Sequence, residues 1–486
     1  MSLFSRVFKE RRNSQPNNRW RSLGFAYRPR LEVLETRDLP ATLLVTTASG
    51  DPNVAGSLPW AINRANLSVG LDYVLFNISG PGVHVISVNQ QLWVNDQIVI
   101  DGASQPGYAG SPLISVQGSA ATPGIFILNA GSSGSTIQGL DIYSYSSNGI
   151  TILRGSDFDW IQNNWIGYFV DGAGVHLNTA RFAPPQFYTI GLAMQANNTT
   201  IRWNTISGNY NGIAIGEDVL GTWSGTPYSR NGVQFNYVGT NPGGTSSAGY
   251  GNLSNAMFFG EGAQGNWLGP TNVLSGNGTN AVELLHSSVS GNVIFSDMIG
   301  TDISGNFSIP NGWAVAAQHG GTGVLVANGA HGNAIGGPWG GNIISGNGAG
   351  GVALGSVGSG PALANWVQFN VFGLNKSQTQ VLGSQNVGVS VDESSQKNVI
   401  QGNIIAGQTG NGIVLDTGQA NDQTIGNDIE GNWLGESQNG RWFLNGGWGI
   451  SLNAYAGFTW IAGNFFGANA LGTIYVSPLA YGNHIA

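Results

Sequence analysis

Asn403-Ile404-Ile405-Ala406-Gly407, followed by Asn411-Gly412-Ile413-Val414-Leu415, is a phrase that this chain repeats. Earlier copies read Asn342-Ile343-Ile344-Ser345-Gly346 with Gly350-Gly351-Val352-Ala353-Leu354, and Asn204-Thr205-Ile206-Ser207-Gly208 with Asn211-Gly212-Ile213-Ala214-Ile215. Asn272-Val273-Leu274-Ser275-Gly276 is another. Sister phrases begin at Asn164, Asn236, Asp297, Asn370, Asn432 and Asn464. A branched apolar residue stands three places before most anchors, as Ile161, Ile201, Val233 and Ile400 do. The unit is I-x-x-N-x-φ-G, a loop, then G-φ-x-φ. A self-similar unit every few dozen residues means a repeat architecture. Apolar pairs two apart are strand spacing.

Short strands joined by bends and repeated coil after coil make a parallel β-helix, each strand pairing with its copy about 4.8 Å away. The anchors Asn164, Asn204, Asn236, Asn272, Asn342, Asn370, Asn403, Asn432 and Asn464 would then stack as a ladder of amides. Each anchor falls where the chain bends, and Asn tolerates the left-handed conformation that such a bend needs.

The chain has 486 residues, 77 of them Gly, with no Cys, 9% charged residues and 41% hydrophobic ones. That composition excludes a disordered chain. The lack of Cys excludes disulfides, thiolate metal sites and a Cys nucleophile. Residues 1–40 hold nine basic and four acidic residues, a balance of +5 within a total of −8, which leaves −13 on residues 41–486. An acidic body argues against nucleic acid as a partner. No apolar run approaches the ~18 residues of a transmembrane helix.

Residues 1–40 read as an export leader or disordered segment without a continuous apolar stretch. Within it, Leu31-Glu32-Val33-Leu34-Glu35-Thr36-Arg37-Asp38-Leu39-Pro40 resembles the LExLExRxLP segment of planctomycete-type exported repeat proteins, and this implies export to the outside or the cell surface. Residues 41–135 read as an N-terminal cap and first irregular coils. Ser57 caps a helix start, Pro59 suits its first turn, and Leu58, Ala61, Ile62 and Ala65 form one apolar stripe. Such a helix covers the open end of a solenoid. Residues 136–486 are the regular repeats, and nothing in the last of them reads as a cap.

Ile100-Asp101-Gly102 with Gln105-Pro106-Gly107-Tyr108, and Ile299-Gly300-Thr301-Asp302 through Asn342-Ile343-Ile344-Ser345-Gly346-Asn347, resemble a family of bacterial right-handed parallel β-helix proteins with the pectate-lyase-like superfold. The resemblance covers roughly residues 42–486. It implies an all-β, single-stranded right-handed solenoid and says little about chemistry.

The six histidines are scattered, and no metal or cofactor motif is present. The acid and His series of polygalacturonase-type hydrolases is grazed only by Gln318-His319-Gly320-Gly321. Pectate-lyase-type chemistry needs a basic residue beside a calcium cluster, and after residue 230 the basic residues are Lys376, Lys397 and Arg441. Two columns remain. Aligning the G-φ-x-φ strands puts Asp392 and Asp416 on successive coils, with Glu393 beside them. Carboxylates about 5–5.5 Å apart serve retaining glycosidases. Such a pair would equally make half of a calcium site. The residue after each anchor forms the other column. Its Trp165, Tyr237, Trp433 and Phe465 suit sugar rings if the column is exposed, and excursion loops would hide it otherwise. The leading expectation is an exported structural or surface protein that binds glycan or another surface component. The alternative is a polysaccharide lyase or glycoside hydrolase on the same scaffold.

Overall fold

The computed structural model describes residues 40–486 apart from 120–121, 123, 172, 179–188, 217–224, 314–320, 357–358, 384 and 417–422. The leader reading falls on residues outside the described ones, Pro40 aside.

One coil shows how the repeat becomes structure. Val399–Gln401 is a strand of a first sheet, Ile404–Ile405 of a second and Ile413–Leu415 of a third. Each lies parallel to its counterpart one coil on, Ile400 on Ile429, Ile404 on Trp433 and Ile413 on Ile450. Repetition builds parallel sheets of 15, 13 and 13 strands. Crossovers between parallel strands are right-handed, and the fold is a right-handed parallel β-helix. Ile400, Ile405, Ile413 and Leu415 point inward and are fully buried. The third sheet carries glycine where the second sheet's side chains reach across. A Cβ on Gly388 would collide with a methyl of Ile405.

The helix is Leu58–Ala65. The Ser57 hydroxyl accepts from the Trp60 N–H at 3.2 Å, and Leu58, Ala61, Ile62 and Ala65 join the core. It packs on Thr42–Val45, Asp72–Phe76 and Leu92–Val94, the opening strands of the first and third sheets. Apolar surface that would otherwise meet water at this end is thereby covered.

The anchor asparagines are buried, and their amides run from coil to coil. Asn403 Nδ2 donates to the Val367 carbonyl one coil back (2.8 Å) and to Asn432 Oδ1 one coil forward (3.0 Å). Asn403 Oδ1 accepts from the N–H and the Nδ2 of Asn370, at 2.9 and 3.1 Å. The left-handed conformation expected at the anchors lies one residue earlier, at Asn163 (φ 57°), Trp203 (56°), Phe235 (57°), Phe369 (58°) and Gly402 (65°). The physical reason is a division of labour. The preceding residue turns the chain, which frees the anchor side chain to point inward and bond along the stack.

Two further ladders occupy the other corners. Asn231, Asn266, Asn292, Asn333, Asn365, Asn398 and Asn427 link successively before the first sheet. Asn252, Asn277, Asn311 and Asn347 do so after the second, and the run continues through Gln385 and Gln408.

After the second sheet the chain makes short hairpins, closed by antiparallel bridges Thr301↔Ser308, Leu374↔Val381 and Glu436↔Trp442. Asp302 Oδ1 accepts from the N–H groups of Asn306 and Phe307, and Asn375 Oδ1 from those of Thr379 and Gln380. The hairpins stack, with the Lys376 N–H donating to the Gly305 carbonyl at 2.9 Å.

Candidate functional site

The column after the anchors points outward from the second sheet, and those hairpins decide which part of it meets solvent. Val273, Met298, Ile343, Val371 and Ile404 are buried in one apolar cluster with Leu374, against Ile303 and Phe443 of the hairpins. The ends of the column are more open. Trp433 stacks on Phe465 with centroids 4.4 Å apart, and Phe465 is 50% exposed. Trp165 and Tyr237 are half-buried.

Trp165, Thr205 and Tyr237 line a groove of about 550 Å³, bordered by Ala109-Gly110-Ser111 and Pro242. Trp203 and Phe235, two of the left-handed corner residues, stack along it with centroids 6.0 Å apart. The Arg202 guanidinium lies 4.1 Å from the Trp203 ring centre. The local sequence explains the position of these rings. A left-handed residue at the corner throws its side chain outward, and in these two coils that residue is aromatic.

Asp141 sits on the next rung, between Ser115 and Trp165. The Ser115 hydroxyl donates to its Oδ2 at 2.7 Å, while its Oδ1 is buried without a partner. Burial pushes its carboxyl up to about 8, against the opposing pull of the Ser115 bond. Near neutral pH it carries a proton and is a donor rather than a charge. Tyr168 stacks on Trp165 at 5.7 Å and meets the edge of Tyr250 at 5.2 Å. Burial, and then the charge of Asp141, push its phenol well above the ordinary value. The sequence reading missed Asp141 because Leu140 stands in the anchor's place. The signal was its position directly after that substituted anchor.

Asp392 and Asp416 occupy adjacent coils. Val391 pairs with Leu415, and the Asp416 N–H donates to the Val391 carbonyl at 3.0 Å. One strand spacing, about 4.8 Å, therefore separates the two backbones there. Burial, resisted by a bond from Ser390 and reinforced by the charges of Asp416 and Glu393, pushes the Asp392 carboxyl up to about 7. Glu393 is itself left-handed (φ 52°). Among the described residues no three His, Asp or Glu side chains converge as metal ligands would.

No protein-family model matches the sequence, and no curated protein is significantly similar to it. Solved parallel β-helix structures align over most of its length. The A-module of the mannuronan C-5 epimerase AlgE4 of Azotobacter vinelandii aligns with a TM-score of 0.49 at 13% identity, over 92% of this chain and 100% of that one. An alginate lyase from a Paenibacillus species aligns at 0.34 and 13% identity, over 91% and 99%. The catalytic domain of an α-1,3-glucanase aligns at 0.44 and 13% identity, over 91% and 68%. At such identities the likeness is one of architecture. Among the described residues no helix is long and apolar enough to cross a membrane.

Proposed function

We propose that this is an exported protein that binds polysaccharide in the groove on the second sheet. The observation that carries the proposal is the set of rings around one groove, Trp165, Tyr237, Trp203 and Phe235, beside small borders. Pyranose rings have apolar C–H faces that lie on aromatic rings, and their hydroxyls need donors and acceptors at the margin. Ser111, Asn163 and Thr271 line the groove and supply both. Export follows from the leader-like segment before Pro40. Removing both Trp165 and Tyr237 (each →Ala) should weaken binding of hexasaccharides at least tenfold in isothermal titration calorimetry, about 1.4 kcal/mol. Affinity equal to that of the unaltered protein would sink the reading.

A hydrolytic reading rests on Asp392. A carboxyl that holds its proton to about 7 beside a second carboxylate is the asymmetry that separates a general acid from its partner. If the pair is catalytic, Asp392→Asn should reduce glycan cleavage by on the order of a thousandfold, within the range for a lost general acid. If calcium instead raises the melting temperature, and the double variant Asp392→Asn, Asp416→Asn loses that gain, the pair binds metal.

A further inference from the structure

The outward face of the first sheet carries a period that the fold does not require. Following the register from the first strand, Tyr73, Trp160, Trp267, Trp366 and Trp460 occupy one outward column, and each stands three coils from the next. None of the positions between them is aromatic: Val99 and Thr136, Thr200 and Gly232, Val293 and Ala334, then Val399 and Asp428. The inward residues beside them (Ile161, Leu268, Val367 and Ile461) repeat with every coil, because packing needs only a one-coil period. Nothing in core packing selects an aromatic at every third coil and excludes it from the two between.

The four tryptophans are partly exposed, Trp160 at 38%, Trp267 at 48%, Trp366 at 40% and Trp460 at 41%, although the Arg202 guanidinium lies 4.5 Å from the Trp160 ring centre and Trp460 stacks on His484 at 4.0 Å. Two residues further along, on the same face, amides follow Trp160 and Trp366, while Gly269 follows Trp267 and Ala462 follows Trp460. Gln162 donates to Gln138, and Gln368 donates to Gln401 at 2.8 Å. Between Trp160 and Ala462 these two outward columns hold only three charged residues, Arg202, Asp428 and Glu430. An exposed apolar stripe of this size marks an interaction surface. Its near neutrality argues against a polyanion.

We infer that this face is a second glycan-binding site, for an unbranched neutral β-(1→4)-linked pyranose chain lying along the solenoid. Three coils span about 14 Å, the length of about three such rings. An indole then meets every third sugar, and the amide pairs Gln138–Gln162 and Gln368–Gln401 meet hydroxyls along the same edge. Contacts too weak alone add up through the linkage of the sugars, since each further contact is intramolecular. A periodic polymer is the partner that rewards a periodic face. The stripe meets the groove at one end, where the Arg202 guanidinium lies 4.5 Å from the Trp160 ring centre and 4.1 Å from that of Trp203, and its middle, at Trp267 and Trp366, is made of residues that do not line the groove.

The test uses the full chain and β-(1→4)-linked xylo-, manno- and cello-oligosaccharides of three to nine sugars, with calorimetry and affinity electrophoresis. For at least one series, affinity should rise in steps as the chain passes from three to six to nine sugars. Trp267→Ala and Trp366→Ala together should flatten that rise, with at least a tenfold loss for the nine-sugar chain. The groove variants Trp165→Ala and Tyr237→Ala should leave the steps in place, which separates failure of this site from failure of the groove. Both tryptophans are exposed, and an unchanged melting temperature verifies that the variants fold. Binding to none of the three series overturns the inference, as does a length dependence that survives loss of both tryptophans. Self-association in sedimentation that disappears in Trp267→Ala, with no glycan binding, would assign the face to a second copy of the chain instead.

Discussion

Replacing Asp297 with Asn should raise the melting temperature, and the gain should widen as the pH is raised. Asp297 stands in the anchor ladder between Asn272 and Asn342. Its Oδ1 accepts from the Asn272 N–H at 2.8 Å and from Asn272 Nδ2 at 3.0 Å. Its Oδ2 is buried without a partner. In the neighbouring rungs that place holds an NH₂, which donates to a carbonyl one coil back and to an Oδ1 one coil forward. An ionised carboxylate would put a negative oxygen against acceptors, so the rung is complete only as the neutral acid. Burial accordingly pushes its carboxyl well above the ordinary value, more strongly than the Asn272 bonds pull it down.

The sign of the pH effect follows from the proton count. The unfolded chain releases this proton near 3.9, while the folded chain keeps it to higher pH. Between those values the folded state binds more protons, so stability falls as pH rises, by about 1.4 kcal/mol per unit. Asparagine has no proton to lose. The two proteins should melt close together near pH 4 and diverge toward neutral and alkaline pH. Parallel melting curves across that range would refute the neutral-acid assignment.

Asn403→Leu should act in the opposite direction and at every pH. The leucine deprives Asn370 of the acceptor for its N–H and its Nδ2, and it deprives Val367 of a donor. All of these groups are buried. Several unsatisfied groups, each costing about 1–3 kcal/mol, put the loss at about 4 kcal/mol. Solenoid stability is a sum of neighbour terms. The variant should therefore show a broadened or split thermal transition by circular dichroism as the stack parts near residue 403. A single transition at the original temperature would contradict this account.

The coil itself was legible because its signal is local. Ile400, Asn403, Ile405 and Gly407 lie within one turn of chain, and the same pattern recurs around Asn342 and Asn432. The neighbouring ladders were legible in principle. Ser207-Gly208-Asn209 and Ser345-Gly346-Asn347 follow the anchor phrase directly, and Gly291-Asn292 precedes a first-sheet strand. They were obscured where glutamine replaces asparagine, at Gln385 and Gln408, and where loops of unequal length separate one corner from the next. The same unequal loops hide the spacing of Trp160, Trp267, Trp366 and Trp460, since a period counted in coils is not a period counted in residues. Whether the column after the anchors meets solvent depends on how Ile303 and Phe443 come to rest, which is tertiary packing and leaves no local pattern. Asp141 required a register count through a coil whose anchor is Leu140.

The corner ladders also bear on how this protein ages. Asparagine followed by glycine is the sequence most prone to lose its amide, because the glycine backbone nitrogen attacks the side-chain carbonyl and closes a succinimide ring. Asn is counted among the thermolabile residues for that reason. The ladders contain Asn231-Gly232, Asn277-Gly278, Asn311-Gly312 and Asn347-Gly348, and Asn445-Gly446 extends one of them, Asn445 Oδ1 accepting from the Gln408 N–H at 3.0 Å. In each, the nitrogen that would attack is already engaged one coil back. The N–H of Gly232 donates to Thr199, that of Gly278 to Asn252, that of Gly312 to Asn277, that of Gly348 to Asn311 and that of Gly446 to Gln408, at 2.8–3.0 Å. Closing the ring would mean breaking that bond and turning a buried amide out of its stack. Folding thus shelters a chain that would decay quickly as a free peptide, and chemical wear should begin in coils that have opened and spread from them. Each amide lost inside a ladder would leave a carboxyl where an NH₂ had bridged two coils, and a ring that opens at its backbone carbonyl would also reroute the chain through the side chain as isoaspartate.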